Sequence, residues 1–152
     1  MAEEILPCHI RIDKEGRWYY QGVPIINRKI YLYLNQCLTK DSSGRYLLLM
    51  DGEQCYLEVE DTPFVVREAG LSTLPGRKPV FFVKLNDETE EALKVATLRV
   101  GQGDVLYCRV KEEQYEARFL RASYYQLADF LQHDGKRYYL LVEGEKIYLK
   151  NL

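Results

Sequence analysis

The sequence predicts an α+β fold, mainly antiparallel sheet, in which two β-β-α-β-β pseudo-repeats are joined by a β-rich middle section. Three observations predict it. Arg45-Tyr46-Leu47-Leu48-Leu49-Met50-Asp51-Gly52-Glu53-Gln54-Cys55-Tyr56-Leu57 lines up with Arg137-Tyr138-Tyr139-Leu140-Leu141-Val142-Glu143-Gly144-Glu145-Lys146-Ile147-Tyr148-Leu149, matching at Arg, Tyr, Leu, Leu, Gly, Glu, Tyr and Leu. Self-similarity of this kind marks a duplicated supersecondary unit. Short runs of β-branched and aromatic residues alternate with polar ones between turn signals, and each copy carries one stretch of apolar residues at helical spacing. The copies span 1–61 and 107–152, with 62–106 connecting them, and a shared apolar core is expected.

In the first copy His9-Ile10-Arg11-Ile12 and Arg17-Trp18-Tyr19-Tyr20 flank the turn-prone Asp13-Lys14-Glu15-Gly16, which reads as a hairpin. Gly22-Val23-Pro24 stops the sheet, and Asn27 is placed to cap a helix with Ile30, Leu34, Cys37 and Leu38 on one face. The polar run Lys40-Asp41-Ser42-Ser43-Gly44 ends that helix. Strands at 45–50 and 53–60 reverse at Asp51-Gly52, a dipeptide suited to the positive φ angles of tight hairpin turns.

Between the copies, Phe64-Val65-Val66 and Val80-Phe81-Phe82-Val83 read as strands around Leu74-Pro75-Gly76-Arg77. Asp87-Glu88-Thr89-Glu90 reads either as a capping box opening a short helical turn or as a solvated acidic loop. Leu98-Arg99-Val100 pairs with Val105-Leu106-Tyr107 across Gly101-Gln102-Gly103-Asp104. In the second copy Tyr107-Cys108-Arg109-Val110 and Tyr115-Glu116-Ala117-Arg118 form the first pair. Ser123 is expected to cap a helix whose Leu127, Phe130 and Leu131 match Ile30, Tyr33 and Leu34, and the last hairpin turns at Glu143-Gly144.

At 152 residues the chain can bury a core without staples, hiding about 68–70% of the surface that it exposes when unfolded. Its 47% hydrophobic and 29% charged content is ordinary for a globular protein, and no apolar run approaches the roughly 20 residues of a spanning helix. Met1-Ala2-Glu3-Glu4-Ile5-Leu6-Pro7 is acidic and carries no apolar stretch of signal-peptide type, so a cytoplasmic address is the expectation. Lys+Arg 21 against Asp+Glu 23 gives a net charge of −2, which supplies no field to attract nucleic acid or a membrane.

The search for catalytic chemistry finds little. Cys8, Cys37, Cys55 and Cys108 show none of the spacings of zinc or haem sites, and Cys55 stands where the second copy has Ile147, so it reads as a small hydrophobe in a strand. His9 enters a strand and His133 sits in a polar turn beside Asp134. Gly101-Gln102-Gly103-Asp104 lacks the Lys-Ser/Thr or third glycine of a phosphate loop. Glu58 and Glu60 share one face of a strand, the pattern of a half-solvated surface, and Asp61-Thr62-Pro63 ends that strand. No metal, no cofactor and no enzymatic activity are therefore expected.

Ile12-Asp13, Gly16-Arg17-Trp18-Tyr19-Tyr20-Gln21-Gly22-Val23-Pro24-Ile25, Val59-Glu60-Asp61-Thr62-Pro63-Phe64-Val65, Arg109-Val110, Tyr115-Glu116-Ala117-Arg118 and Arg121-Ala122-Ser123-Tyr124-Tyr125-Gln126-Leu127 occur in that order along most of the chain. In these blocks the sequence resembles the bacterial domain of unknown function 1285 family. The family usually has Gly-Ser-Pro where this chain has Gly22-Val23-Pro24, and its members tend to be longer. The resemblance implies an α+β fold with duplicated elements and a loose association with bacterial signalling or regulation. It implies no catalytic residues.

Thirteen tyrosines and one tryptophan, with arginines interleaved, are the raw material of a binding surface, although tyrosine also packs well in strands with its hydroxyl in water. Arg11, Arg109, Arg118 and Arg121 are the candidate anchors for a carboxylate- or phosphate-bearing ligand, with Trp18 and Tyr20 as apolar walls. Each arginine has an alternative partner in a nearby glutamate, as Arg118 has in Glu116. The expected function is a non-enzymatic regulatory or binding module that takes a small ligand or protein partner between its halves. The competing readings are a small hydrolase or transferase using Glu60, Asp61 and Arg109, and a protein that homodimerises through exposed tyrosines.

Overall fold

The structure is a computed structural model that describes residues 4–73 and 75–151. Leu74, in the turn expected between two strands, and the first three residues of the acidic N-terminal stretch lie outside the described residues. The chain divides into two compact units, Met1–Thr62 and Pro63–Leu152.

The first unit runs β1 (Leu6–Ile12), β2 (Trp18–Tyr20), β3 (Val23–Pro24), α1 (Arg28–Cys37), β4 (Leu38–Lys40), β5 (Tyr46–Met50) and β6 (Glu53–Val59). These strands form one sheet in the order β3-β2-β1-β6-β5-β4. Every neighbouring pair is antiparallel except β1 and β6, a parallel pair made possible by the long crossover that contains α1. Strand alternation sends Ile10 and Ile12 inward beside Trp18, Leu34, Leu48 and Leu57, which form the core cluster of this unit. Asn27 caps α1 as expected, its Oδ1 accepting the Ile30 N–H at 3.2 Å. The helix ends one residue early, however, and Leu38 begins β4, so the inward face is Tyr31, Leu34 and Cys37 while Ile30 stays half exposed.

The second unit runs β7 (Phe64–Ser72), β8 (Val80–Leu85), β9 (Glu90–Ala92), β10 (Arg99–Val100), β11 (Leu106–Val110), β12 (Tyr115–Phe119), α2 (Arg121–Ala128), β13 (Gln132–His133), β14 (Tyr138–Val142), β15 (Glu145–Tyr148) and β16 (Lys150–Asn151), with 3-10 turns at Val95–Thr97 and Gln102–Asp104. One sheet has the order β16-β10-β11-β12-β7-β8-β9, and a second is β13-β14-β15. Phe64, Val65 and Val66 are buried in succession, as suits a strand that pairs parallel with β12 and is covered on both faces. The acidic segment takes the loop form: Asp87 Oδ1 accepts the Thr89 N–H at 3.1 Å, and β9 starts at Glu90.

The architecture is the expected α+β, mainly antiparallel arrangement with a pseudo-repeat. The hairpin-helix-hairpin units of the two copies are β1-β2-α1-β5-β6 and β11-β12-α2-β14-β15. Their last hairpins turn alike, with positive φ at both central residues: 49° and 81° at Asp51-Gly52, 51° and 82° at Glu143-Gly144. Two details of the expected alignment change. Arg28 and Arg121 open the helices and Leu34 and Leu127 are their buried leucines, so Leu127 corresponds to Leu34 and not to Ile30. Ser123 is not the cap; α2 starts at Arg121, and the Ser123 hydroxyl lies inside the helix, within 2.6 Å of the Val66 carbonyl oxygen and 2.8 Å of the Leu120 carbonyl oxygen.

Closure of the sheet separates the copies. In the first unit β6 returns to lie beside β1, and a Cys8–Cys55 disulfide joins the two strands. Cys55 is therefore a cross-link and not the small hydrophobe expected from its match to Ile147. In the second unit β10 already occupies that edge of β11, and β14 and β15 form a sheet with β13 instead.

Three of the turns use one device. Asp13 Oδ1 accepts the N–H groups of Glu15 and Arg17, both at 2.9 Å, while its Oδ2 accepts Arg17 Nε at 2.9 Å. Asp41 repeats this with Ser43 and Arg45, and Asp134 Oδ1 accepts the N–H groups of Lys136 and Arg137 at 2.9 Å. The Ser43 hydroxyl and the Arg45 N–H hold Asp41 down at about 2. The Arg137 N–H, with that of Lys136 and the Tyr148 hydroxyl, likewise holds Asp134 below the carboxylate range. Burial raises Asp13, but the bonds from Arg17 and Tyr19 outweigh it and leave the group lowered.

A carboxylate with a folded pKa below its unfolded value of about 3.9 stabilises the fold above that value and loses its contribution as pH falls through the folded pKa. Stability is therefore expected to decline between about pH 4 and pH 2. Urea unfolding across that range, repeated with Asp41→Asn, checks it: the variant should show a flatter acid limb, and an unchanged limb would contradict the assignment.

Candidate functional site

Two adjoining hollows in the second unit share Asp104, Leu106 and Tyr124 as lining residues and make one cleft. The larger, about 570 Å³, is walled by Tyr124, Tyr138, His133 and apolar residues including Val100, Leu131 and Leu149, with Lys136 and Arg137 on its border. The smaller, about 330 Å³, gathers Arg118 from the end of β12, Arg121 and Tyr125 from the first turn and middle of α2, and the 103–105 backbone.

Local sequence explains these positions. Gly101 lets the 102–104 turn close, because a Cβ there would lie 2.7 Å from the Tyr107 ring, which is itself stacked under the Arg99 guanidinium at 4.2 Å. That turn delivers Asp104. The short connection from α2 to β13 keeps the Asp134-Gly135-Lys136-Arg137 turn beside the helix. There the Gly135 N–H donates to His133 Nδ1 at 3.0 Å, and the His133 ring meets Tyr138 edge-on at 4.6 Å. Arg137 stacks on Tyr148 at 4.0 Å.

Asp104 is the one carboxylate in the lining against Arg118, Arg121, Lys136 and Arg137. Among the described residues no carboxylate lies within ion-pair distance of Arg121, Lys136 or Arg137. Asp134, next in the chain to this cluster, spends its oxygens on backbone N–H groups and on the Tyr148 hydroxyl at 2.8 Å. The Leu120 N-cap position of α2 carries no side-chain acceptor. The arrangement can hold an anion.

Of the residues singled out from sequence, Arg118 and Arg121 come together here. Arg109 does not: its Nε donates to the Glu113 carbonyl at 2.8 Å and its Nη2 reaches the Gln114 carbonyl at 3.4 Å, which ties down the β11–β12 turn. Trp18 is 3% exposed and belongs to the core of the first unit, so it is no wall of a site. Tyr20 is half exposed on β2. Arg11 stacks on Tyr19 at 4.4 Å and lines a separate hollow of the first unit with His9 and Tyr56. Glu116 accepts Arg99 Nε and Nη2 at 2.6 and 2.9 Å.

Glu60, named for the hydrolase reading, accepts the Lys14 N–H at 2.8 Å on an exposed surface. Among the described residues no group of His, Cys, Asp or Glu is gathered in a way that could hold a metal. No helix among them is long and apolar enough to cross a membrane. Sequence reasoning missed Asp104, Lys136 and Arg137: Asp104 reads as a turn residue and Arg137 as the start of the last hairpin, and the short His133-Asp134-Gly135 connection after α2 is the signal that could have placed Lys136 and Arg137 beside the helix.

These features define a two-unit α+β protein with duplicated hairpin-helix-hairpin elements and a cation-lined cleft in one unit. The same fold occurs in the crystal structure of a DUF1285 family protein from Silicibacter pomeroyi DSS-3, with a TM-score of 0.77 at 23% identity over 95% of this chain and 80% of that one. It occurs also in a DUF1285 family protein from Shewanella baltica OS155, with a TM-score of 0.65 at 20% identity over 81% of this chain and 91% of that one. The resemblance read in the sequence therefore holds at the level of the fold. No protein-family model matches the chain, and no curated protein matches it.

Proposed function

We propose that this chain is a non-enzymatic binding module of the domain of unknown function 1285 family that takes a small anionic ligand in the cleft of its second unit and serves a regulatory role. One observation carries the reading: two adjoining hollows, sharing Asp104, Leu106 and Tyr124, are lined between them by four cationic side chains and one carboxylate, in a protein of net charge −2. Planar guanidinium groups bind phosphate and carboxylate with two parallel hydrogen bonds. The bacterial cytoplasm suggested by the sequence is compatible with this reading, because the cleft lies in the second unit and the disulfide in the first. In such a reducing compartment Cys8 and Cys55 would stand as a dithiol.

Thermal unfolding with inorganic pyrophosphate and with citrate tests the proposal. A probe at 100 times its dissociation constant adds about 2.7 kcal/mol of stability, and the shift should shrink at high salt. Arg121→Ala with Lys136→Ala should abolish it while leaving the unliganded midpoint close to wild type, since both side chains are exposed. Equal shifts in wild type and double variant, or none in either, would overturn the proposal.

A further inference from the structure

We infer that the ligand of this cleft is a nucleoside phosphate, an inference that rests on the anion-binding reading above and narrows it. The two hollows differ in chemistry. The smaller has Arg118 and Arg121, whose guanidinium forks suit the compact, highly charged oxygens of phosphate. The larger has the rings of Tyr138 and His133 in its lining beside Val100, Leu131 and Leu149, which suit a flat heteroaromatic ring. Tyr138 is 54% exposed, with the His133 ring edge-on beside it.

Asp104 sits where the hollows join, since it lines both. A carboxylate is a poor neighbour for a simple polyanion but accepts hydrogen bonds from hydroxyl and amino groups. A ribose placed between base and phosphate brings those donors to this point. Inorganic phosphate, pyrophosphate and citrate satisfy only the smaller hollow and meet Asp104 as a like charge. A nucleoside alone satisfies only the larger. A nucleoside phosphate satisfies both, and the larger hollow's volume of about 570 Å³ lies within the range of small-ligand pockets.

Titration calorimetry with AMP, GMP, CMP and UMP, their nucleosides and pyrophosphate tests the inference. At least one nucleotide is expected to bind tenfold or more tightly than pyrophosphate and than its own nucleoside. Tyr138→Ala should weaken that nucleotide about tenfold and leave pyrophosphate unchanged, whereas Arg121→Ala should weaken both. Circular dichroism of each variant establishes that the fold is retained, and Tyr138→Phe, which keeps the ring, should restore nucleotide affinity. Pyrophosphate binding with no nucleotide tighter would overturn this inference and leave the anion-binding proposal standing. No binding by any probe would overturn both.

Discussion

Leu140→Ala is expected to cost about 2–5 kcal/mol of unfolding free energy, and Leu48→Ala the same, because each removes a fully buried side chain and leaves a cavity that the packed neighbours only partly fill. Both leucines are 0% exposed, on the equivalent strands β14 and β5 of the two copies. The next residue along each strand supplies the control. Leu141 and Leu49 are 42% and 45% exposed on the opposite face, so their replacement by alanine should cost well under the core values. Urea denaturation of the four variants measures the contrast. Equal losses at the core and surface leucines would show that the strand register described here is wrong.

Breaking the Cys8–Cys55 disulfide is the second large effect. The bridge closes a loop of sequence separation 47, for which the chain-entropy relation gives about 4 kcal/mol of stabilisation in the oxidised protein. It ties β1 to β6, the one parallel pair of the first unit, beside the bulge where the register passes from Pro7↔Tyr56 to Arg11↔Glu58 and His9 takes a φ of 62°. Unfolding curves with and without a phosphine reductant should differ by several kcal/mol, and Cys8→Ser with Cys55→Ser should reproduce the reduced curve. Alkylation checks the pairing. Burial pushes the Cys108 thiol up and makes it unreactive in the fold, so labelling must be done in denaturant. Two labels without reductant and four with it are expected; four in the unreduced protein would remove the bridge.

Turns and caps were largely legible because they depend on short-range sterics and hydrogen bonds. Asp51-Gly52 and Asn27 announce themselves through residues that tolerate positive φ or cap a helix. Ser123 shows the limit of such reasoning. Its type favours a cap, but the Val66 carbonyl of a distant strand claims its hydroxyl. Trp18 shows another: strand alternation puts a ring on one face or the other, and only packing against Leu34 and Leu48 makes that face the core. Of the candidate site, Arg118 and Arg121 were visible as arginines flanking a helix start. Arg109, equally conspicuous, is drawn instead to the carbonyls of its own turn.

By itself, the chain's pattern determined the elements and their duplication, since the φ preferences, capping groups and two- and 3.6-residue periods that make hairpins and helices are properties of neighbouring residues. Tertiary structure alone decided that β6 lies beside β1 while β10 takes the matching edge of β11, that Cys8 meets Cys55, and that Asp104, Lys136 and Arg137 border one cleft with Arg118 and Arg121. The reason is that a strand edge or a hollow goes to whichever segment buries most surface and satisfies most backbone groups there, a competition among distant segments that no local stretch of sequence records.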